Sequence, residues 1–201
     1  MSLLLWSNIL ILITAIVCLV VVYWYFKDSP KDIKATYLFA LFLVLVSQVL
    51  IIADLAFVEL IVEVLYIAIL TFVYIILLQS IRHLKSEHYR YPYPFVFTPV
   101  FLLITYPFLY DINVLKEVII NLIEGGGIAV IIFLFVYHIN AFKRKYLAYS
   151  GLLSFILAMI LASFLSQKWI YADFLWPVFL SFGMILVTYS FTYLLRSSAN
   201  K

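Results

Sequence analysis

Long apolar blocks separated by short polar clusters organise this chain. The first block runs from Leu3 to Phe26 and stops at Lys27-Asp28-Ser29-Pro30-Lys31-Asp32-Ile33-Lys34, which reads as a polar loop. From Ala35 to Leu84 there is neither proline nor glycine. A single helix of roughly 50 residues would measure about 75 Å at 1.5 Å per residue, against about 30 Å of bilayer hydrocarbon. The segment must therefore fold back, and Asp54 and Glu59 mark the tightest place for it, predicting helices over 35–56 and 58–84.

A basic, aromatic, proline-bearing stretch follows, Lys85-Ser86-Glu87-His88-Tyr89-Arg90-Tyr91-Pro92-Tyr93-Pro94. The remaining blocks predict helices over 95–110 (carrying Pro99 and Pro107), 118–142, 146–166 and 171–195. Their connections are Asp111 to Glu117, the run Lys143-Arg144-Lys145, and Gln167-Lys168-Trp169, with a polar tail from Arg196. The expected fold is an all-α integral membrane protein, one domain over residues 1–201 with seven transmembrane helices.

Composition strengthens this reading. Hydrophobic residues make up 67% of the 201 positions and charged residues 11%, against roughly half and a quarter in soluble domains. No single core of this size can hide so much apolar surface, but lipid can solvate it. The N-terminal Met1-Ser2-Leu3-Leu4-Leu5-Trp6 lacks the basic region of a cleavable signal peptide, so the first block is expected to be a retained helix. The one cysteine, Cys18, is expected to be a small packing residue.

Charge sets the expected orientation. Lys27, Lys31, Lys34, Arg82, Lys85, Arg90, Lys143, Arg144, Lys145, Arg196 and Lys201 fall on one side of the alternating helices, and only Lys116 and Lys168 on the other. Basic loops stay in the cytoplasm, which puts the N-terminus outside and the C-terminus inside. The acids partition oppositely: Asp54, Glu59, Glu63, Asp111, Glu117, Glu124 and Asp173 lie in the outer half. Trp24, Tyr25, Tyr89, Trp169, Tyr171 and other aromatics crowd the expected interfaces, where amphipathic rings favour the headgroup level.

Two acids lie deeper than a loop would put them. Glu63 and Glu124 each sit more than a turn inside their helices, where a carboxylate is costly unless protonated, paired or wetted. Asn121 precedes Glu124 by one turn, and Gly125-Gly126-Gly127 follow it, a run that permits close approach of another backbone or a ligand. One reading is an outward-facing ligand pocket lined by Glu63, Asn121, Glu124, Gly125, Gly126 and Gly127. The other is a tight helix crossing with a glutamate that snorkels or accepts a tyrosine hydrogen bond. Gln48, Ser47, Gln79, Thr188 and Ser190 are expected to bond between helices, and His138 to be an interfacial histidine. Lys143, Arg144, Lys145, Arg82, Lys85 and Arg90 are expected to meet anionic lipid or an acidic partner surface.

No nucleophile with an evident base, phosphate-binding loop or metal-ligand spacing occurs, so no catalytic residue, metal or cofactor is expected. In helix count and orientation the chain resembles the seven-helix membrane sensor modules attached to bacterial kinases and cyclases, which implies a signal-receiving role. A three-plus-one-plus-three grouping also resembles the SWEET class of sugar transporters, although proline falls here in helices four and seven, at Pro99, Pro107 and Pro177. Rhodopsin-type retinal binding is excluded, because 171–195 contains no lysine. The expectation is a non-enzymatic sensor-like module or accessory subunit, working with a protein partner and the bilayer and not with nucleic acid. The alternative is a small cation or polar-solute transporter with an acidic vestibule, and an intramembrane enzyme acting on lipid comes third. Short loops suggest a bacterial or archaeal plasma membrane.

Overall fold

The computed structural model describes residues 3–27, 29–53, 58–85, 87–109, 113–137, 145–161 and 171–199. Among these described residues there are seven α-helices: α1 (Leu3–Tyr25), α2 (Lys31–Ala53), α3 (Val58–Leu84), α4 (Val100–Leu109), α5 (Asn113–Tyr137), α6 (Lys145–Ile160) and α7 (Ala172–Ala199). Two short 3-10 helices, Glu87–Tyr89 and Tyr93–Phe97, lie between α3 and α4, and no strand occurs among the described residues. Four helices, α1, α2, α3 and α7, are long and apolar enough to cross a membrane. Gly125–Tyr137 of α5 and Lys145–Ala158 of α6 are shorter apolar segments.

Four boundaries differ from the sequence reading. One is at the C-terminal end, where α7 runs on to Ala199 through residues expected to form a polar tail from Arg196, since Arg196 tolerates helix well. α2 begins at Lys31 and not at 35, because Pro30 opens it: the Lys34 amide donates to the Pro30 carbonyl at 3.1 Å, closing the first turn. Proline is suited to a helix start, where its missing N–H costs nothing, and Asp32 in the first turn faces the positive end of the helix dipole. α4 begins at Val100 and not at 95, because Pro94 and Pro99 supply no amide for a continuous ladder and the chain passes instead through the 3-10 turn at Tyr93–Phe97. α5 begins at Asn113 and not at 118, since Lys116 and Glu117 are charged but tolerate helix well. The turn at Asp54, the Asp111 turn, His138, Lys143, Arg144 and Gln167-Lys168-Trp169 lie outside the described residues.

The helices are arranged around α1, α7 and α3. α1 packs against α2 and α7, α2 against α3, and α7 against α6 and α3, while α3 also carries α4 and α5. Ring contacts show that α1 and α7 run parallel: Trp6 stacks on Phe174 at 6.1 Å at one end, and Tyr25 meets Tyr189 edge-on at 5.8 Å toward the other. That second end gathers the C-terminal parts of α1, α3 and α7 with the start of α2, and so it collects Lys27, Lys31, Lys34, Arg82 and Lys85. The main buried cluster lies toward this basic end and includes Val22, Phe26, Ile33, Leu41, Leu77, Phe135 and Phe191.

Large apolar side chains also cover the outside. Ile13, Phe42, Val49, Leu60, Phe101, Phe133, Leu153 and Phe182 are exposed, whereas Ser7, Thr14, Ser47, Thr71, Ser80, Ser154, Ser181, Ser190 and Thr192 are buried. Water would select the reverse, and this distribution fits a membrane protein, whose helix contacts favour small and hydroxylated residues. Several hydroxyls are satisfied within their own helix, as in Thr14 to the Leu10 carbonyl at 2.8 Å and Ser80 to the Ile76 carbonyl at 2.6 Å.

The main chains of α6 and α7 approach closely. A Cβ at Gly151 would lie 3.0 Å from Leu186 Cβ and 3.1 Å from the Val187 amide nitrogen. Reciprocally, a Cβ at Gly183 would lie 3.1 Å from the Phe155 nitrogen and 3.3 Å from the Gly151 carbonyl oxygen. Two facing glycines thus let these helices touch along their main chains.

Candidate functional site

The expected glutamate–glycine pocket is spread along the bundle. Glu63, half-buried on α3, accepts a hydrogen bond from Tyr106 Oη of α4 at 3.1 Å. Gly126 and Gly127 of α5 face Tyr74 of α3: a Cβ at Gly126 would meet Tyr74 Oη at 2.9 Å, and one at Gly127 would meet Tyr74 Cε2 at 3.5 Å. Gly125 has nothing within 4 Å of its would-be Cβ. Tyr74 is three turns beyond Glu63, about 16 Å along α3, so Glu63 and the glycines sit at different depths. Asn121 and Glu124 lie on α5, but their side chains fall outside the described residues.

The basic residues at the opposite end are engaged with their own chain. Arg82 Nε donates to the Tyr91 carbonyl at 3.1 Å, and its guanidinium lies 5.1 Å above the Tyr93 ring. Lys85 Nζ lies 5.7 Å above the Tyr91 ring, and Arg90 Nε donates to the Lys85 carbonyl at 3.2 Å. Lys145 is exposed at the start of α6.

A polar cluster that the sequence did not reveal sits there. His83 Nε2 and Asp32 Oδ2 are 3.0 Å apart, joining the last turn of α3 to the first turn of α2. Tyr93 Oη donates to the same carboxylate oxygen at 3.3 Å, and Gln79 Nε2 lies 3.5 Å from Tyr93 Oη. Tyr91 Oη donates to the Leu78 carbonyl. The segment after α3 is thereby folded back onto α3 and latched to α2. Burial pushes the Tyr93 phenol above the ordinary tyrosine range, and the nearby Asp32 charge pushes the same way. Burial also raises Tyr91, with Arg82 opposing. Gln79 is 2% exposed, and its Oε1 has no hydrogen-bond partner. The signal available in advance was Ser29-Pro30-Lys31-Asp32, a helix start that would have placed Asp32 on α2.

Next to this latch lies an apolar chamber of about 150 Å³, walled by α2, α3, α5, α6 and α7. Tyr37, Leu41, Val73, Phe155, Met184 and Phe191 are among its lining residues. Its two hydroxyls, Tyr37 Oη and Thr188 Oγ1, bond to each other at 2.8 Å, and Thr188 also points its proton toward Cys18 Sγ at 3.7 Å. Thr188 therefore bonds between helices as expected, and Cys18 is buried against α7. Gln48 Oε1 is buried without a partner. Among the described residues no three His, Cys, Asp or Glu side chains converge as metal ligands would.

No family model, curated protein or solved structure matches the chain.

Proposed function

We propose that this is a polytopic plasma-membrane protein that crosses the bilayer seven times, with its N-terminus outside and its C-terminus in the cytoplasm. It acts without catalysing a reaction, as a sensor-like module or accessory subunit that passes a signal to a partner at its basic cytoplasmic face. The observation that carries this reading is the adjacency of chamber and latch. Tyr37 on the chamber wall is five residues from Asp32 on α2, and Leu77 is six from His83 on α3. Any shift of α2 against α3 at the chamber is felt within about two helical turns by the Asp32–His83 pair. The joint is a hydrogen-bonded cluster in which His83 and Tyr93 both meet Asp32 Oδ2, and such a cluster is suited to two discrete arrangements, which is what transmission between sites requires.

Gentle extraction from the native membrane, followed by identification of stoichiometric partners, tests the proposal. A stable partner lost on joint charge reversal of Lys143, Arg144 and Lys145 supports it. A partner-free chain under all conditions of extraction counts against it.

A second reading is favoured by Glu63, a half-buried carboxylate on an apolar helix held by Tyr106. A cation or polar-solute transporter would use such an acid, together with Glu124, to concentrate cations at its outer face. Flux into reconstituted vesicles, abolished in Glu63→Gln or Glu124→Gln, would move that reading to the front.

A further inference from the structure

We infer that the chamber among α2, α3, α5, α6 and α7 is a binding site for a small hydrocarbon group of about benzene's size. This deepens the sensor reading, and rests on it for the consequence of binding, by naming what is sensed. Interiors normally pack with few voids larger than a water molecule, so 150 Å³ of space is room for a ligand. Water is a poor occupant, because it needs two or more polar partners. The hydroxyls of Tyr37 and Thr188 already bond to each other, with Thr188 also directed at Cys18, and the other lining residues are apolar. An apolar space of this volume matches cavities that take benzene-like guests in other proteins.

The lining is also selective. Tyr37, Phe155 and Phe191 offer aromatic faces and edges to a ring, and Met184 supplies a flexible thioether that adapts to its outline. Charged and strongly polar solutes find no donor or acceptor to replace their hydration. The hydrocarbon group can arrive on a free small molecule or as the end of a bilayer lipid chain.

The test is photolabelling of the full-length purified chain with 3-trifluoromethyl-3-phenyldiazirine, a probe of matching size, with the labelled residues located by mass spectrometry. One arm uses delipidated protein in detergent and the other uses phosphatidylethanolamine–phosphatidylglycerol vesicles. The expected result is saturable labelling of chamber residues such as Tyr37, Phe155 or Met184, displaced by excess toluene, whereas lipid-facing residues such as Phe101 label without saturation. Saturable labelling in both arms identifies a free molecule as the source, and labelling in detergent that is suppressed in vesicles identifies a lipid chain. Ala40→Phe and, independently on α3, Val73→Phe fill the chamber and should abolish chamber labelling while leaving helix content and elution volume unchanged. Absence of saturable chamber labelling in both arms overturns the inference. So does labelling that persists in either folded, filled variant. Partner co-purification is read separately, so loss of the ligand and loss of the partner are distinguishable outcomes.

Discussion

Asp32 Oδ2 lies 3.0 Å from His83 Nε2, and this contact ties the first turn of α2 to the last turn of α3 across the basic end of the bundle. The two side chains are 25% and 23% exposed, so the pair is shielded from water without being sealed from it. Removing either partner should cost about 1 kcal/mol, at the upper end for a partly exposed pair. Asp32→Asn and His83→Ala should each lower the thermal midpoint in detergent, and the double variant should lose less than the sum. Additive losses would show that the two side chains are not coupled.

The same cluster makes alkaline stability depend on Tyr93. The folded protein holds the Tyr91 and Tyr93 protons above the ordinary phenol range, whereas the unfolded chain releases them near pH ~10. Above that pH the unfolded state binds fewer protons than the folded state, so stability falls as pH rises and levels off once the folded phenols ionise. Denaturation midpoints measured at rising alkaline pH should decline less steeply in Tyr93→Phe than in the parent. An unchanged slope would remove Tyr93 from the linkage.

The glycines separate into two kinds. Gly151→Leu or Gly183→Leu forces a side chain into backbone 3.1–3.3 Å away and should destabilise by about 1–3 kcal/mol, because α6 and α7 must part. Gly125→Ala meets nothing within 4 Å and should be neutral or stabilising by up to about 1 kcal/mol, since alanine favours helix. Gly126→Ala displaces only the movable end of Tyr74 and should fall between them. A comparison of thermal midpoints across the four positions checks the order.

Within the chamber wall, Thr188→Val keeps the shape but removes the buried hydroxyl that partners half-buried Tyr37, at a cost of about 1–3 kcal/mol. Tyr37→Phe on the same background should recover much of that loss, because both polar groups are then gone. Failure of the second substitution to compensate would mean that Tyr37 finds another partner.

Much of the fold was legible in order. Blocks of apolar residues interrupted by charge require helices of bounded length, since an unpaired backbone is intolerable in hydrocarbon, and the described residues form seven helices, four of them long and apolar enough to cross a membrane. Lys31, Asp32 and Lys34 read as loop by their charge, but a helix start behind Pro30 prefers acids and tolerates amphipathic lysines, with Lys34 Nζ lying 5.4 Å above the Tyr23 ring. Three consecutive glycines drew attention to α5, yet the main-chain crossing belongs to two isolated glycines on α6 and α7, because such a contact needs one glycine on each of two facing helices.

Sequence alone thus determined the helical class and the apolar exterior, because each depends on local composition summed over about 20 positions. Tertiary structure decided which residues meet. Asp32 and His83 are 51 positions apart, and Tyr37 and Thr188 are 151 apart. Such pairs depend on how helices rotate and cross, and all-round apolar helices carry no stripe in their sequence to say which face turns inward. The chamber has the same origin, since a void is a property of how five surfaces fail to fill space and is written in none of them singly.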